Sequence, residues 1–168
     1  MEAVSPHLVG QHSDLFFSRL QIIKKMTTVN PYLSFNGNCE EAFNFYKEVF
    51  GIDFQYVGRY KDIPAADRQN FTPEDEKIMH ISLPISKETI LMGCDSPETF
   101  GQPITIGNNI SLSINTDSKV SADKIFNGLC VGGQVKMPMN ETFWGAYFGV
   151  VTDKFGIHWT VSADLKKD

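Results

Sequence analysis

Two stretches of this chain repeat each other. "YLSFN" (32–36) and "SLSIN" (111–115) lie 79 residues apart, and each is followed by the pattern of an amphipathic helix. After the first come Ala42, Phe45, Tyr46, Val49 and Phe50; after the second come Ala122, Ile125, Phe126, Leu129 and Cys130. The two sets superpose with one shift of 80, and their i, i+3, i+4, i+7, i+8 spacing is a single face of an α-helix. Each run then meets glycine, Gly51 or Gly132–Gly133, as a residue past a helix end often must. Strand, turn, helix, glycine, strand therefore occurs twice, and self-similarity at a long fixed period points to an internal duplication.

The rest of the chain fits that frame. Apolar alternation predicts a strand over 29–36, a helix over 39–50 with Glu40 and Glu41 in its first turn, and a strand over 52–60. A long polar loop carrying Pro64 and Pro73 follows over 61–76, then a hairpin of strands 77–85 and 88–94 joined at Ser86–Lys87. The second half predicts a strand over 109–115, a helix over 119–130, and strands over 133–139, 144–152 and 157–163, with "TDKFG" turning the last hairpin. The expected layout is an N-terminal extension (1–25), a first βαβββ module (27–95), a Pro/Gly-containing linker (96–108) and a second βαβββ module (109–164). The class is α+β. The extension lacks the apolar core of a secretory signal and carries Glu2 and Asp14, which disfavours a transit peptide. It reads either as an upstream start or as a short helix around Leu15–Ile23 that docks on the body.

Charge excludes one large class of partner. A formal net charge of −5 argues against nucleic acid, whose binding rests on clustered Lys and Arg. No run of about 18 apolar residues offers a membrane span. Cys39, Cys94 and Cys130 are scattered, odd in number and without a C-x-x-C, which reads as free thiols in a reducing, cytoplasmic compartment. Cys39 stands at a helix start, where the dipole can lower a thiol pKa; a small residue filling that position is the preferred reading.

Alternation also assigns faces. Leu33 and Phe35, Ile81, Leu83 and Ile85, Ile110, Leu112 and Ile114, and Ile157, Trp159 and Val161 share one side of their strands. Their neighbours are Tyr32 and Ser34, His80, Ser82 and Pro84, Asn109, Ser111 and Ser113, and His158, Thr160 and Ser162. One helix per module covers one face of a four-stranded sheet. The other face here carries small uncharged hydrogen-bonding groups where a plainly solvated face would carry Lys, Glu and Arg. Such a face suits a semi-enclosed surface that binds a ligand. Trp144, Tyr147 and Phe148 near one hairpin, with Phe54, Tyr56 and Tyr60 in the other module, favour a flat or amphipathic small molecule.

"NPYLSFNGNCEEAFNFYKEVFG", "IMHISL", "LMGCD", "GNNISLSIN", "VKMPMNETFWGAYFG" and "TDKFGIHW" are similar to the PhnB-like branch of the vicinal-oxygen-chelate, or glyoxalase/bleomycin-resistance, superfamily, often labelled 3-demethylubiquinone 3-methyltransferase. The resemblance runs through residues 27–163. It implies two modules whose sheets curl around a cavity, a homodimer, and in many members a metal held by His, Glu or Gln on the first and last strands. Where the pattern has His in the second module this chain has Asn109, and where it has Glu this chain has Thr160. Neither suits a divalent transition metal in a three-ligand site. His80 and His158 remain, without a carboxylate partner, as hydrogen-bonding residues or candidate bases. No Gly-rich loop for a methyl donor follows the first strand, where the chain reads "NGNCEE". The expected function is metal-free binding of a small organic molecule, aromatic in character, with sequestration as its use, no cofactor, and no nucleic-acid or membrane partner. The expected ligand-binding residues are His80, Ser82, Asn109, Ser111, Ser113, Trp144, Tyr147, His158 and Thr160, and no catalytic residue is assigned. The rival expectation is a metal-dependent lyase, isomerase or dioxygenase.

Overall fold

The computed structural model describes residues 28–67, 76–96 and 103–165, with the backbone alone at Ala65. The predicted extension over 1–25, with its short helix, lies outside the described residues. The described residues from Pro31 onward form one compact unit. Its elements are β1 (Tyr32–Phe35), α1 (Cys39–Phe50), β2 (Tyr56–Arg59), β3 (Ile78–Leu83), β4 (Leu91–Asp95), β5 (Leu112–Thr116), α2 (Lys119–Leu129), β6 (Gln134–Glu141), β7 (Ala146–Thr152) and β8 (His158–Asp164). Two short 3-10 turns, Tyr60–Asp62 and Ala65–Asp67, follow β2.

The strands make two four-stranded sheets of identical topology, β1-β4-β3-β2 and β5-β8-β7-β6. The first strand of each half pairs in parallel with the last, and the remaining pairs are antiparallel. Two βαβββ modules in an α+β chain are what the repeat predicted, and neither sheet closes into a barrel.

Local chemistry explains the helix ends. The Ser118 side chain accepts from the Ser121 backbone N–H and caps α2. α1 is capped from a distance: Asp95, at the end of β4, accepts from the Cys39 N–H at 2.9 Å and from the Ile78 N–H at 2.9 Å. One buried carboxylate thus ties the helix start to two strands. Gly51 ends α1 at φ 67°, in the left-handed region that favours glycine.

The helix-covered faces meet in one core. Ala42, Tyr46 and Val49 of α1 and Ala122, Phe126 and Leu129 of α2, matched by the 80-residue shift, are all buried. α1 is buried over a wider arc, because Phe43 is buried too, packed over Gly93, while Phe45 and Phe50 reach the second module. Phe45 meets Phe155 with ring centroids 5.7 Å apart, and Phe50 meets Trp159 at 6.1 Å. Tyr46 packs edge-on against Trp159 at 5.5 Å. Where the helices approach, Gly128 leaves room for Val49, whose methyls lie 3.2 and 3.3 Å from the position a Cβ would take. Asp153 fastens the contact, accepting from Tyr46 Oη and Trp159 Nε1 at 2.8 Å each.

Several boundaries differ from the sequence pattern. β2 is four residues long, not nine, because the chain leaving α1 through Ile52 and Phe54 packs against the core before it pairs. β3 and β4 are joined by residues 84–90, a wider turn than Ser86–Lys87, in which Ser86 Oγ accepts from the Glu88 and Thr89 N–H groups. β5 begins at Leu112, so Asn109, Ile110 and Ser111 precede the strand, and Ile110, expected in the core, is 72% exposed.

Candidate functional site

Pairing defines what stands on the helix-free face of the first sheet. Tyr32, Met92, Ser82 and Tyr56 form one row across β1, β4, β3 and β2. In the next row Ser34 pairs with Cys94, and His80 with Gly58. Three rings gather there. Tyr32 and His80 stack with centroids 5.7 Å apart, and the Tyr32 hydroxyl lies 3.2 Å from His80 Nδ1. Tyr56 lies 5.8 Å from the His80 ring on the other side. Gly58 makes this possible, since a Cβ there would sit 2.6 Å from the Tyr56 hydroxyl. The result is a slab of aromatic surface whose two tyrosines are 47% and 50% exposed. Partial burial, and then a hydrogen bond with the Cys94 thiol, push the Tyr32 phenol well above its ordinary pKa, so it stays neutral and can donate.

On the second sheet the corresponding face carries Ser113, Thr160 and Val150 in one row, and Asn115, Ser162, Phe148 and Asn140 in the next. His158 pairs with Thr152, whose Oγ1 lies 2.9 Å from His158 Nδ1. Ser162 Oγ donates to Asn115 Oδ1 at 2.6 Å. Trp144, 55% exposed in the β6–β7 turn, packs edge-on against Phe148 at 6.0 Å. The alternation places hydrogen-bonding groups on the open face of both sheets, joined by aromatic rings on the first and by Asp164, at the end of β8, on the second.

The expected site residues divide accordingly. His80 and Ser82 stand together on the first sheet, though Ser82 is only 6% exposed. Ser113, His158 and Thr160 share the face of the second, with Trp144 at its margin. Asn109 and Ser111 lie in the approach to β5 rather than on a strand. Tyr147 stands on the opposite, helix-covered side, where its hydroxyl donates to Asp123 of α2 at 2.8 Å. The period of two explains this: Tyr147 and Phe148 are neighbours in β7, and Phe148 takes the open face. Tyr56 and Tyr32 are central to the slab yet absent from the expected set. The spacing Tyr56-x-Gly58 carried the signal, because glycine two residues on leaves space for a ring to lie along its strand.

The metal that the superfamily resemblance implies finds no fitting donors. Among the described residues no three of His, Cys, Asp and Glu come together to hold an ion. Thr160 has Ser113 and Val150 beside it, Asn109 is off the strand, and His80 and His158 stand on different sheets with their Nδ1 atoms already engaged. Hydroxyls, an amide and two separated imidazoles do not make a divalent transition-metal site.

Two βαβββ sheets of this strand order define a protein of the glyoxalase/bleomycin-resistance fold. A member of that group from Albidiferax ferrireducens superposes with a TM-score of 0.55 at 17% identity, covering 80% of this chain and 95% of its own. The chain belongs to the family described as 3-demethylubiquinone-9 3-methyltransferase, whose model matches residues 27–162. The protein YjdN of Escherichia coli K12 is 30% identical over 141 residues, 80% of this chain and 93% of that one. The crystal structure of PA1353 from Pseudomonas aeruginosa superposes with a TM-score of 0.72 at 37% identity, covering 82% and 98%. A PhnB protein of Bacillus cereus follows at 0.66 and 23%, covering 82% and 99%.

Proposed function

We propose that this protein binds a flat, uncharged organic molecule against the Tyr32–His80–Tyr56 slab, without a metal, and sequesters it rather than transforming it. The slab carries the reading: three rings, two half-exposed, border a thiol and two hydroxyls on a face without charge. Aromatic contact favours a planar partner by about 1 kcal/mol per ring pair beyond the area it buries. Ser34 and the neutral Tyr32 phenol supply orientation. The bleomycin-resistance neighbour belongs to a group named for tolerance of a drug, which agrees with sequestration. A homodimer would enclose the face, and the cytoplasm, where free thiols persist, is the expected location. Methyl transfer is not part of this reading, since mixed βαβββ sheets lack the doubly wound sheet and Gly-rich turn such enzymes commonly use.

Titration with 2-naphthol in excess EDTA tests the proposal. Saturable binding that weakens about tenfold in Tyr56→Ala and in His80→Ala is expected, as for loss of one stacking partner each. Binding unchanged in both variants would sink it. Stoichiometric Zn, Ni, Mn or Fe in protein purified without chelator, lost on His80→Ala or His158→Ala, would favour the metalloenzyme instead.

A further inference from the structure

Between β1 and the starts of β5 and β8 runs a groove of ≈ 340 Å³ that shares Tyr32 and Ser34 with the slab's margin but is lined by neither His80 nor Tyr56. Leu33, Ile104, Ile106, Ile110, Leu112 and Ile157 give it aliphatic walls, and among the described residues no Asp, Glu, Lys or Arg lines it. A second hollow of ≈ 280 Å³, with Asn36 and Asn38 in its wall, shares Ser34, Ile104, Ile106 and Ile157 with the first, so the trough is longer than either alone.

One wall is a segment outside both sheets, held in place by a single side chain. The Asn36 amide donates to the Ile104 carbonyl at 3.0 Å and accepts from the Ile104 N–H at 2.8 Å. That is the pair of bonds a neighbouring strand would make. Ile106 is seated over Gly156, its side chain 3.1 Å from the position a Cβ there would take. The polar side chains of the first hollow are Tyr32, Ser34, Thr105 and His158, and Asn36 and Asn38 stand in the second. Thr152 holds His158 Nδ1, which leaves Nε2 as the nitrogen for a ligand.

We propose that this trough is a second binding site, for an uncharged aliphatic molecule: an extended or branched carbon chain ending in a hydroxyl or carbonyl. Shape and chemistry both select it. Branched aliphatic walls fill well against a chain. A volume at the small end of the ligand-pocket range excludes bulky ring systems. A carboxylate or ammonium would give up part of its water among aliphatic walls that offer no opposite charge, which weakens its binding. A terminal hydroxyl finds donors and acceptors in Ser34, Thr105 and His158. Tyr32 borders both sites but places its ring with the slab.

The test uses the full chain with 1-octanol and octanoate, followed by NMR chemical-shift changes. Octanol should saturate, shifting the Ile104, Ile106 and Ile157 signals, and octanoate at pH 8 should bind about tenfold or more weakly for want of a counter-charge. Ile106→Asp, at a position 64% exposed and so compatible with folding, should abolish octanol binding while 2-naphthol binding is retained. Ile110→Asp, at a position 72% exposed, gives an independent variant with the same expected loss. Octanol binding unaffected in both variants, octanoate binding as well as octanol, or no binding of octanol at all would each overturn the assignment. Because 2-naphthol binding is read through Tyr56 and His80, which do not line the trough, failure here and failure of the proposed function are separate outcomes.

Discussion

Removing the Asp153 carboxylate tests how the two modules are joined. Asp153 is 4% exposed, and four donors converge on it. Oδ2 accepts from Tyr46 Oη and Trp159 Nε1 at 2.8 Å each, and Oδ1 accepts from the Phe155 and Ile157 N–H groups at 2.9 and 3.0 Å. Tyr46 belongs to α1 in the first module, so one residue joins a helix, a turn and a strand across the internal duplication. In Asp153→Ala the Tyr46 hydroxyl and the Trp159 N–H are left inside the core without a partner, at about 1–3 kcal/mol each. The Phe155 N–H, also buried, and the half-buried Ile157 N–H lose their acceptor as well. The expected loss is about 3–5 kcal/mol, a large share of an ordinary domain's stability. Tyr46→Phe removes one donor and leaves the carboxylate three, so about 1 kcal/mol is expected. Burial, and then the Asp153 carboxylate, hold the Tyr46 phenol well above its ordinary pKa, so the bond persists through alkaline solution until the protein itself unfolds. Urea unfolding followed by tryptophan fluorescence measures both losses, and a double-mutant cycle isolates their coupling. A loss under about 1 kcal/mol in Asp153→Ala, with an unchanged denaturant slope, would refute the buried-anchor reasoning.

Gly93→Ala places a Cβ 2.5 Å from the Phe43 ring and 2.9 Å from the Leu33 carbonyl, so a loss of about 1–3 kcal/mol in thermal unfolding is expected, and a neutral result would show that α1 can lift from its sheet. Burial first, and then the Asp95 carboxylate, push the Cys39 thiol far above its ordinary pKa, so iodoacetamide at pH 8 should alkylate it last of the three cysteines, and peptide mapping that finds it first would contradict the cap geometry. The hydrogen bond from Arg59 holds the Glu40 carboxyl below its ordinary pKa; that contribution is present above the unfolded carboxylate range and lost as pH falls through the folded value. The stability gap between the parent and Arg59→Ala should therefore narrow on acidification, by a small amount because the pair is exposed, and a gap that widens would reverse the assignment.

Periodicity made the architecture legible because burial on one side leaves a mark on every second strand residue and every third or fourth helix residue. The 80-residue helix shift predicted Ala42 with Ala122, Tyr46 with Phe126 and Val49 with Leu129, and all six are buried. Phe43 was invisible to that comparison, because its counterpart is Asp123, which instead receives the Tyr147 hydroxyl. The two copies have diverged at this helix position, each packing it within its own module, and a repeat reports only what the copies still share. The anchoring roles of Asp95 and Asp153 depend on partners distant in sequence: Asp95 receives the Cys39 N–H from 56 residues away, and Asp153, beside its nearby donors Phe155, Ile157 and Trp159, receives the Tyr46 hydroxyl from 107 residues away. The open faces were legible as hydrogen-bonding, but the slab needed the register that sets Gly58 opposite His80. The trough was hidden for a further reason. Its wall lies in a segment whose prolines and glycines marked it as a linker, and the Asn36–Ile104 clamp spans 68 residues.

The most direct measurement is a set of intermolecular NOEs between 2-naphthol and the full-length protein in excess EDTA. The expected result is contact from the naphthol ring to Tyr32, His80 and Tyr56, unchanged when Mn or Zn replaces the chelator. Contacts confined to other residues, or binding that vanishes with EDTA and returns with the metal, would contradict a metal-free aromatic site on the first sheet.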